Sequence, residues 1–434
     1  VNARATTAAP SFKGTDEATD SRAHIRSSFM IGDALSTVWA IGDLHADAHC
    51  ARAWVRRTGL IDGLHQNVSP EKWDWAEPAS TLVFMGDYVD KGPYARSTLN
   101  FVRTLNERFG DERVQAILGN HEVNLLVDRA TPQGHRYLNY AYAAAHPAQY
   151  AEWTVQRQGN VTAVAEETAN MRQALDLLLK ALDHLYVTGA YDPQSVLMTP
   201  SGRASILHHI PVAQRSLVAS ELARWQAAYL RGVGPSTPEG AWLSRRPLTV
   251  RVAGLVFVHG GVHPTATAAE LDEINAAVAR SLLPQADLAA LGKLLQQRPE
   301  IRELVEDRRL HKSCDRVLRA LASLNVTRIA VGHTPASSAR FACDGGLLAL
   351  DASLSRWFRA SGNFYCPESG AVGQRLDGFC PRISRRCEGQ IARFRRNASL
   401  GAGWSVDFIE MDSSDGEISV SEASRGTGLR EELR

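Results

Sequence analysis

The chain has 434 residues, of which 44% are hydrophobic, so it is long enough to bury a sizeable core. Lys and Arg number 48 against 47 Asp and Glu, and this balance argues against a basic protein that binds nucleic acid through its overall charge. The sequence contains no run of about 18 apolar residues, which argues against a membrane-spanning helix.

The two ends of the chain have the composition of flexible segments. Residues 1–30 are rich in Ala, Thr, Ser and charged residues without a hydrophobic period, which predicts a flexible leader. Because the sequence begins at Val1 rather than Met, we expect either a processed chain or a fragment. Residues 412–434 are predicted to be a disordered acidic tail, and residues 31–411 a single elaborated domain.

Five apolar runs of strand length are each followed by glycine together with Asp, Asn or His. These runs are Thr37–Ile41, Leu82–Met85, Val114–Leu118, Leu255–Val258 and Arg328–Val331. Because open α/β sheets bind ligands at the carboxyl ends of parallel strands, we expect the polar residues to meet there. Carboxylates and imidazoles collected at one edge favour a metal site.

Helical periodicity is present between these runs. Residues 46–61 and 94–109 are predicted helices. Residues 265–325 are also predicted to be helical. One apolar face there consists of Leu271, Ile274, Val278 and Leu282, and another of Val317, Leu318, Leu321 and Leu324. After Asp351 the chain becomes rich in Gly, Ser and Arg, and no strand is predicted there.

A long insert at about 123–250 separates the third run from the fourth. Helical patterns at 137–156, 163–187 and 218–230 predict a largely helical cap that covers part of the cleft. His208 and His209 within it are candidate ligands, but the strand-like pattern of 204–210 favours a structural role for them. In the loop 62–80, Trp73 and Trp75 are expected to seal the loop onto the core.

The polar blocks read GDLHA from Gly42, GDYVDKG from Gly86, GNHE from Gly119, HGG from His259 and GH at Gly332. They resemble the calcineurin-like metallophosphoesterases, and within them the phosphoprotein phosphatase family, whose blocks read GDxHG, GDxVDRG, GNHE, HGG and GH. Smaller features, including the segment Asp351–Arg356, resemble the Shewanella-like branch. The resemblance implies a four-layer αββα sandwich, here with the helical insert.

This family resemblance also implies a centre with two divalent metal ions. The implied ligands of one ion are Asp43, His45 and Asp87, and those of the other are Asp87, Asn120, His259 and His333. Asp87 would bridge the ions, and a water shared between them would attack phosphorus in line. Oxygen and imidazole ligands without thiolate favour manganese, with iron or zinc as alternatives.

His121 and Asp90 resemble the family's acid and its orienting carboxylate. An imidazole can protonate a leaving oxygen near neutral pH, and a carboxylate can fix its tautomer.

The substrate phosphate is expected to contact Lys91, Asn120 and Arg308, with Arg309 as the alternative arginine. Lys91 stands where the family has arginine, and an ammonium cannot form the two parallel hydrogen bonds of a guanidinium. Ala46 stands where the family has glycine, and it would strain a left-handed turn by about 1 kcal/mol.

The expected function is therefore a metal-dependent phosphoprotein phosphatase that hydrolyses Ser/Thr or Tyr phosphomonoesters of a protein or peptide. A diadenosine tetraphosphatase-like hydrolase is the alternative, because those relatives carry a GDxVxKG block, although they commonly lose the acid that Asp90 retains. A second alternative is an inactive scaffold that binds phosphorylated partners.

The compartment stays open between the lumen of the secretory pathway and the cytoplasm. Six cysteines and four Asn-x-Ser/Thr sequons, at Asn67, Asn160, Asn325 and Asn397, favour the secretory pathway. Sequons also arise by chance, and the cysteine spacing is irregular. The sequence leaves the oligomeric state undetermined.

Overall fold

The computed structural model describes residues 35–64, 68–92, 94–130, 207–356, 386–396 and 403–412, together with single residues between 153 and 184. The predicted leader, most of the helical patterns at 137–156 and 163–187, and residues 413–434 of the predicted tail lie outside the described residues.

The described chain contains both strands and helices. The strands are β1 Thr37–Ile41, β2 Ile61–Asp62, β3 Asp74–Trp75, β4 Ser80–Phe84, β5 Val114–Ala116, β6 Thr249–Val252, β7 Leu255–Val258, β8 Arg328–Val331, β9 Arg340–Ala342, β10 Leu347–Ala349, β11 Gln390–Arg396 and β12 Trp404–Glu410. The helices are α1 Ala48–Thr58, α2 Ala95–Phe109, α3 Asn120–Asp128, α4 Arg215–Gly232, α5 Pro238–Leu243, α6 Ala268–Ser281, α7 Ala290–Gln297, α8 Glu300–Glu306 and α9 Cys314–Leu324.

The first large sheet has the strand order β12-β11-β1-β4-β5. Its strands β1, β4 and β5 are parallel, with Trp39 opposite Leu82 and Leu82 opposite Val114. Their carboxyl ends therefore lie at one edge, as predicted. Strands β11 and β12 form an antiparallel pair beside β1 that the sequence analysis did not predict.

The second large sheet has the order β6-β7-β8-β10-β9, with β7, β8 and β10 parallel. The two sheets meet through Phe257 and Phe394, whose ring centroids lie 5.6 Å apart. The Trp404 indole of the first sheet also donates to the carbonyl of Ala253 beside the second sheet, at 3.0 Å. This arrangement confirms the predicted mixed α/β sandwich.

The outer helices bury one face each. The predicted face of α6 is buried, whereas in α9 the prediction for Leu318 is wrong, because this side chain is 59% exposed. Val317, Ala320 and Leu324 form the buried face of α9 instead. These residues repeat at intervals of three and four, so Leu318 lies on another side of the helix.

The described part of the insert is helical. Helix α4 confirms the helix predicted at 218–230, and the insert ends where β6 begins at Thr249. The strand-like interpretation of 204–210 is wrong where it can be judged: residues 207–208 are helical, and His208 and His209 are exposed. A short apolar run does not by itself distinguish a strand from a helix.

Other contacts hold loops and terminal strands to the core. Trp73 is buried against Phe101, at 6.2 Å between ring centroids, which confirms its predicted packing role. Disulfides join Cys50 of α1 to Cys387, and Cys314 at the start of α9 to Cys343. Within the described ranges, every helix is too short or too polar to cross a membrane.

Candidate metal centre and active site

The predicted site residues meet at the common edge of the two sheets. Asp43, Asp87 and Asn120 follow the strands β1, β4 and β5 of one sheet, while His259 and His333 follow β7 and β8 of the other. Parallel strands deliver these residues because each polar block begins where its strand ends. Asp43, Asp87 and His259 are buried, so the centre lies in the interior between the sheets.

Asp87 lies between two groups of candidate ligands. The Nε2 atom of His45 is 3.7 Å from Asp87 Oδ2, and the Nε2 atom of His259 is 3.3 Å from Asp87 Oδ1. Ligand atoms of His45, Asp87 and His121 lie within 4.8 Å of one another, as do those of Asp87, His259 and His333. Asp87 belongs to both groups, as a bridging ligand would.

Asp43 and Asn120 complete the cluster of predicted ligands. The Oδ2 atom of Asp43 is 3.9 Å from His45 Nε2. Asn120 Oδ1 is 3.1 Å from His259 Nε2 and 3.0 Å from His333 Nδ1. All six predicted ligand side chains therefore lie close together in the structure. His121 also lies within ligand distance of His45 and Asp87, although it was not a predicted ligand.

The donor chemistry of these side chains fits divalent ions. Burial lowers the pKa of His45 well below its usual value. Burial and the nearby charge on His259 lower the pKa of His333 to about 3. Both rings are therefore neutral at pH 7. Metal coordination requires a neutral imidazole. His259 donates from Nδ1 to the carbonyl of Met85 at 2.8 Å, which orients Nε2 toward Asp87 and Asn120.

The carboxylates make this position favourable for a cation. Burial by itself lowers the pKa of His259, but Asp87 and Asp43 raise it to about 10. Burial and the neighbouring Asp351 raise the pKa of Asp43 well above its usual value. Asp351 is a buried carboxyl group in the segment Asp351–Arg356, for which the sequence predicted no role in the site.

His121 and Asp90 form the predicted pair. The Nδ1 atom of His121 lies 2.7 Å from Asp90 Oδ2, which is hydrogen-bonding distance. Its other nitrogen, Nε2, is 3.9 Å from Asp87 Oδ2 and faces the centre. A ring held at Nδ1 by a carboxylate can therefore present an Nε2 proton toward a bound phosphate ester.

Glu122 supports the loop after β4 and was not assigned a role from the sequence. Its buried carboxylate accepts hydrogen bonds from the backbone N–H groups of Asp87, Tyr88 and Gly119 at 2.7–3.0 Å. Burial raises the pKa of Glu122 to about 7. Its place in the GNHE block was the available signal, but its partners Asp87, Tyr88 and Val89 are 33–35 residues away in the chain.

The two predicted phosphate-binding cations lie on different sides of the centre. Lys91 Nζ is 3.2 Å from His45 Nε2. Arg308 is exposed and donates to the carbonyl of His333 at 3.1 Å, which holds it at the rim of the site. Arg309, the alternative, is instead paired with Asp307 at 2.8 Å.

Residues of the site adopt left-handed backbone conformations that non-glycine residues rarely occupy. They include His45, Ala46, Asp87, Asp90, Lys91 and His333, with φ between 37° and 65°. Ala46 has φ 55° and therefore adopts a left-handed conformation at the position where the family has glycine. Such strain is retained at functional sites where the surrounding structure enforces it.

Asp47 and Arg356 fix the segment behind the centre. The Arg356 guanidinium donates to both carboxylate oxygens of Asp47 at 2.8 Å, and both side chains are buried. Asp47 also caps α1 by accepting from the N–H of Cys50 at 3.2 Å. Ser355 donates to the carbonyl of His45 at 3.1 Å, so residues 351–356 pack directly against the first ligand loop.

Position 332 requires glycine, because side-chain atoms of Asp43 and His259 lie too close to leave room for a Cβ atom. A Cβ at this position would lie 2.5 Å from Asp43 Oδ1 and 3.3 Å from His259 Nδ1. We expect Gly332→Ala to displace Asp43 and to weaken Mn²⁺ binding by about 10- to 100-fold, measured by titration calorimetry.

Gly292→Ala is the matched control, because the nearest atom to its Cβ would be 3.8 Å away on Val127. Gly292 lies in α7, so this change should stabilise the protein by about 1 kcal/mol and leave Mn²⁺ binding unchanged. If Gly332→Ala binds Mn²⁺ as tightly as the parent does, the claim that a Cβ at position 332 displaces Asp43 is wrong.

Comparison with known proteins agrees with this geometry. A family model described as calcineurin-like phosphoesterase matches residues 36–186. This stretch, about a third of the chain, is therefore similar to the calcineurin-like phosphoesterases.

Two curated relatives match over 90 residues each. One is a symmetrical bis(5'-nucleosyl)-tetraphosphatase from Janthinobacterium sp. (strain Marseille), which is 39% identical over 21% of this chain and 26% of its own length. The other is an uncharacterized protein of Schizosaccharomyces pombe, which is 33% identical over 20% of this chain and 25% of its own length. The chain thus matches only about a quarter of the length of these relatives.

Similar solved structures include two phosphatases. A cold-active protein-tyrosine phosphatase of a psychrophilic Shewanella sp. has 15% identity and a TM-score of 0.46, covering 87% of this chain and 81% of that chain. A protein serine/threonine phosphatase from Saccharomyces cerevisiae has 12% identity and a TM-score of 0.38, covering 88% of this chain and 82% of that chain. At these TM-scores the similarities carry no argument about substrate.

Proposed function

We propose that the chain is a dinuclear metal-dependent phosphoprotein phosphatase that hydrolyses Ser/Thr or Tyr phosphomonoesters. The observation that carries this proposal is the position of Asp87, which is shared by two groups of candidate ligands directly beside the His121–Asp90 pair. This combination would provide both a place for two cations and a proton donor for the leaving oxygen. The motif resemblance supports the phosphoprotein phosphatase family and its Shewanella-like branch.

The six clustered ligand side chains would hold the two ions. They are Asp43, His45, Asp87, Asn120, His259 and His333. When bound, the ions would supply an activated water and neutralise charge on the phosphoryl oxygens. The mixed carboxylate, amide and imidazole donors support manganese, with iron or zinc as alternatives.

The protein's own groups would bind the phosphate and move one proton. Arg308 at the rim, and Lys91 after rotating away from His45, would pair with phosphoryl oxygens, while the Asn120 amide would donate to a third. His121 would give its Nε2 proton to the leaving oxygen as the phosphorus–oxygen bond breaks. Asp90 would hold Nδ1 throughout this step.

A phosphoanhydride hydrolase that acts on dinucleoside tetraphosphates is the second candidate. It is favoured by Lys91 in place of arginine and by the 39% identity with the symmetrical tetraphosphatase over 90 residues. The retained Asp90, engaged with His121 at 2.7 Å, supports the phosphomonoesterase instead.

The experiment is turnover of three substrates by the purified, manganese-loaded protein. These are p-nitrophenyl phosphate, a phosphoserine and phosphotyrosine peptide pair, and diadenosine tetraphosphate. Each is measured beside Asp87→Asn, which should be inactive, and beside Asp315→Asn, an exposed carboxylate in α9 that should behave like the parent.

The substrate pattern distinguishes the alternatives. We expect the parent to dephosphorylate a peptide and Asp87→Asn to lose this activity. The same measurement would show whether phosphoserine or phosphotyrosine is preferred. Cleavage of the dinucleotide alone would replace the proposal by the second candidate. If the protein binds manganese but turns over none of the substrates, the remaining alternative is an inactive scaffold that binds phosphoproteins.

The disulfides support an oxidising compartment for the protein. Cys50–Cys387 and Cys314–Cys343 pair cysteines that are distant in the sequence, and such bonds persist mainly in secreted and lumenal proteins. Of the two compartments left open by the sequence, we therefore propose the lumen of the secretory pathway.

A further inference from the structure

We propose that Tyr229, on the insert helix α4, is a positioning residue that fixes the Asp90 carboxylate and thereby aligns His121 for proton transfer. This inference rests on the proposed function and gives the insert a role in the chemical step.

Both oxygens of Asp90 are engaged, each by a different part of the chain. The Tyr229 hydroxyl donates to Asp90 Oδ1 at 3.1 Å, while Oδ2 lies 2.7 Å from His121 Nδ1. Tyr229 is fully buried, and Asp90 is 6% exposed, so water has little access to this chain of contacts. In such a place a hydrogen bond to a carboxylate is stronger than it would be in water.

The second hydrogen bond determines the plane of the carboxylate. A carboxylate held at one oxygen can still rotate about its Cβ–Cγ bond, and the lone pair that receives the His121 proton rotates with it. A donor on the other oxygen removes this freedom. Because Nε2 of His121 faces the centre 3.9 Å from Asp87, a rotation of the ring would move the proton away from the leaving oxygen.

Tyr229 is itself held rigidly. Its ring packs against Trp153 at 4.7 Å and against Trp225 at 5.9 Å between centroids. The following helix α5 is fastened to the catalytic domain by Glu239, which accepts from Arg96 of α2 at 2.9 Å. The insert helix therefore presents the hydroxyl from a fixed surface rather than from a mobile loop.

Loss of the hydroxyl should impair protonation of the leaving oxygen selectively. When the phosphorus–oxygen bond breaks, the electron pair stays on the leaving oxygen and the proton comes from His121. A phosphate ester of an aliphatic alcohol needs this proton more than an ester of an acidic phenol, because a phenolate is a stable leaving group. Leaving-group dependence therefore reports on His121 alignment and not on general damage to the fold.

The test compares Tyr229→Phe with the parent on alkyl phosphates and on p-nitrophenyl phosphate, with the manganese-loaded protein. We expect kcat on alkyl phosphates to fall about tenfold, as for the loss of one hydrogen bond to a charged group, with a much smaller fall on p-nitrophenyl phosphate. An equal fall on both substrates, or no change on either, would overturn the proposal.

Two further variants keep this result interpretable. Trp225→Phe disturbs the same aromatic cluster without touching Asp90, so it should leave the ratio of the two activities unchanged. His121→Asn should change that ratio more strongly than Tyr229→Phe. If His121→Asn does not change the ratio, the proposed acid is wrong; if only Tyr229→Phe fails to change it, the positioning role alone is wrong.

Discussion

His121→Asn is expected to lower kcat on alkyl phosphates by about 10²- to 10⁴-fold, the usual contribution of a general acid. Asparagine has no group that titrates near neutral pH, so the leaving oxygen would depart without a proton. The amide can still accept or donate hydrogen bonds in the same space. Steady-state kinetics on an alkyl phosphate measure the loss.

The manganese content of this variant decides between two roles for His121. If His121 acts only as the acid, the His121→Asn protein should still bind two manganese ions. Elemental analysis would show this metal content. Because His121 also lies within ligand distance of His45 and Asp87, loss of one ion would identify it as a ligand instead. His208→Asn, at an exposed position of the insert, is the control and should change neither kcat nor metal content.

Arg356→Ala is expected to lower the free energy of unfolding by about 3–5 kcal/mol, because it leaves a buried carboxylate without its partner. The guanidinium donates to both oxygens of Asp47, and water cannot replace it at a fully buried position. Chemical denaturation measures the change. Arg319→Ala is the matched control, since its partner Asp315 is exposed and such surface pairs contribute about 0–1 kcal/mol. Similar losses in the two variants would contradict this account.

The same ion pair gives a pH dependence with a defined sign. Burial alone would raise the pKa of Asp47, but Arg356 lowers it below the usual value of 3.8. A group with a depressed folded-state pKa stabilises the protein above its unfolded pKa and loses this effect as pH falls through the folded value. In the parent, the contribution of Asp47 to stability should therefore be constant well above pH 3.8 and be lost as pH falls below 3.8. In Arg356→Ala, burial without the guanidinium raises the pKa of Asp47, so the stability difference between parent and variant should begin to shrink already above pH 3.8 and continue to shrink below it.

Much of the sandwich could be predicted from apolar runs. The predicted bounds of β1, β7 and β8 match the structure, because these buried strands are continuous hydrophobic segments bounded by polar residues. Strands β11 and β12 were missed because they are partly exposed and carry charged residues such as Arg393, Arg395 and Asp407. Those charges pair across the two strands, which is visible only once the strands are adjacent.

The site was predictable where a residue is part of a local motif. Asp43, Asp87 and His333 each follow a glycine at a strand end, so the sequence places them without knowledge of the fold. Tyr229 belongs to no such motif, and Asp351 begins the segment Asp351–Arg356 but follows no glycine. They reach the centre only through packing of segments that are far apart in the chain, and no spacing rule predicts such contacts.

The strand order of the first sheet has a consequence for biosynthesis. Strand β1 lies between β4 and β11. Its Ala40 pairs on one side with Ala392, which is 352 residues later in the chain, and on the other side with Val83, which is 43 residues later. During translation one edge of β1 must stay unpaired until residue 392 and the rest of its partner strand have left the ribosome. Unpaired strand edges bind other strands and lead to aggregation, so we expect the nascent protein to depend on chaperones. Non-local pairing of this kind also slows folding, which makes refolding from denaturant slow relative to helical proteins of similar size.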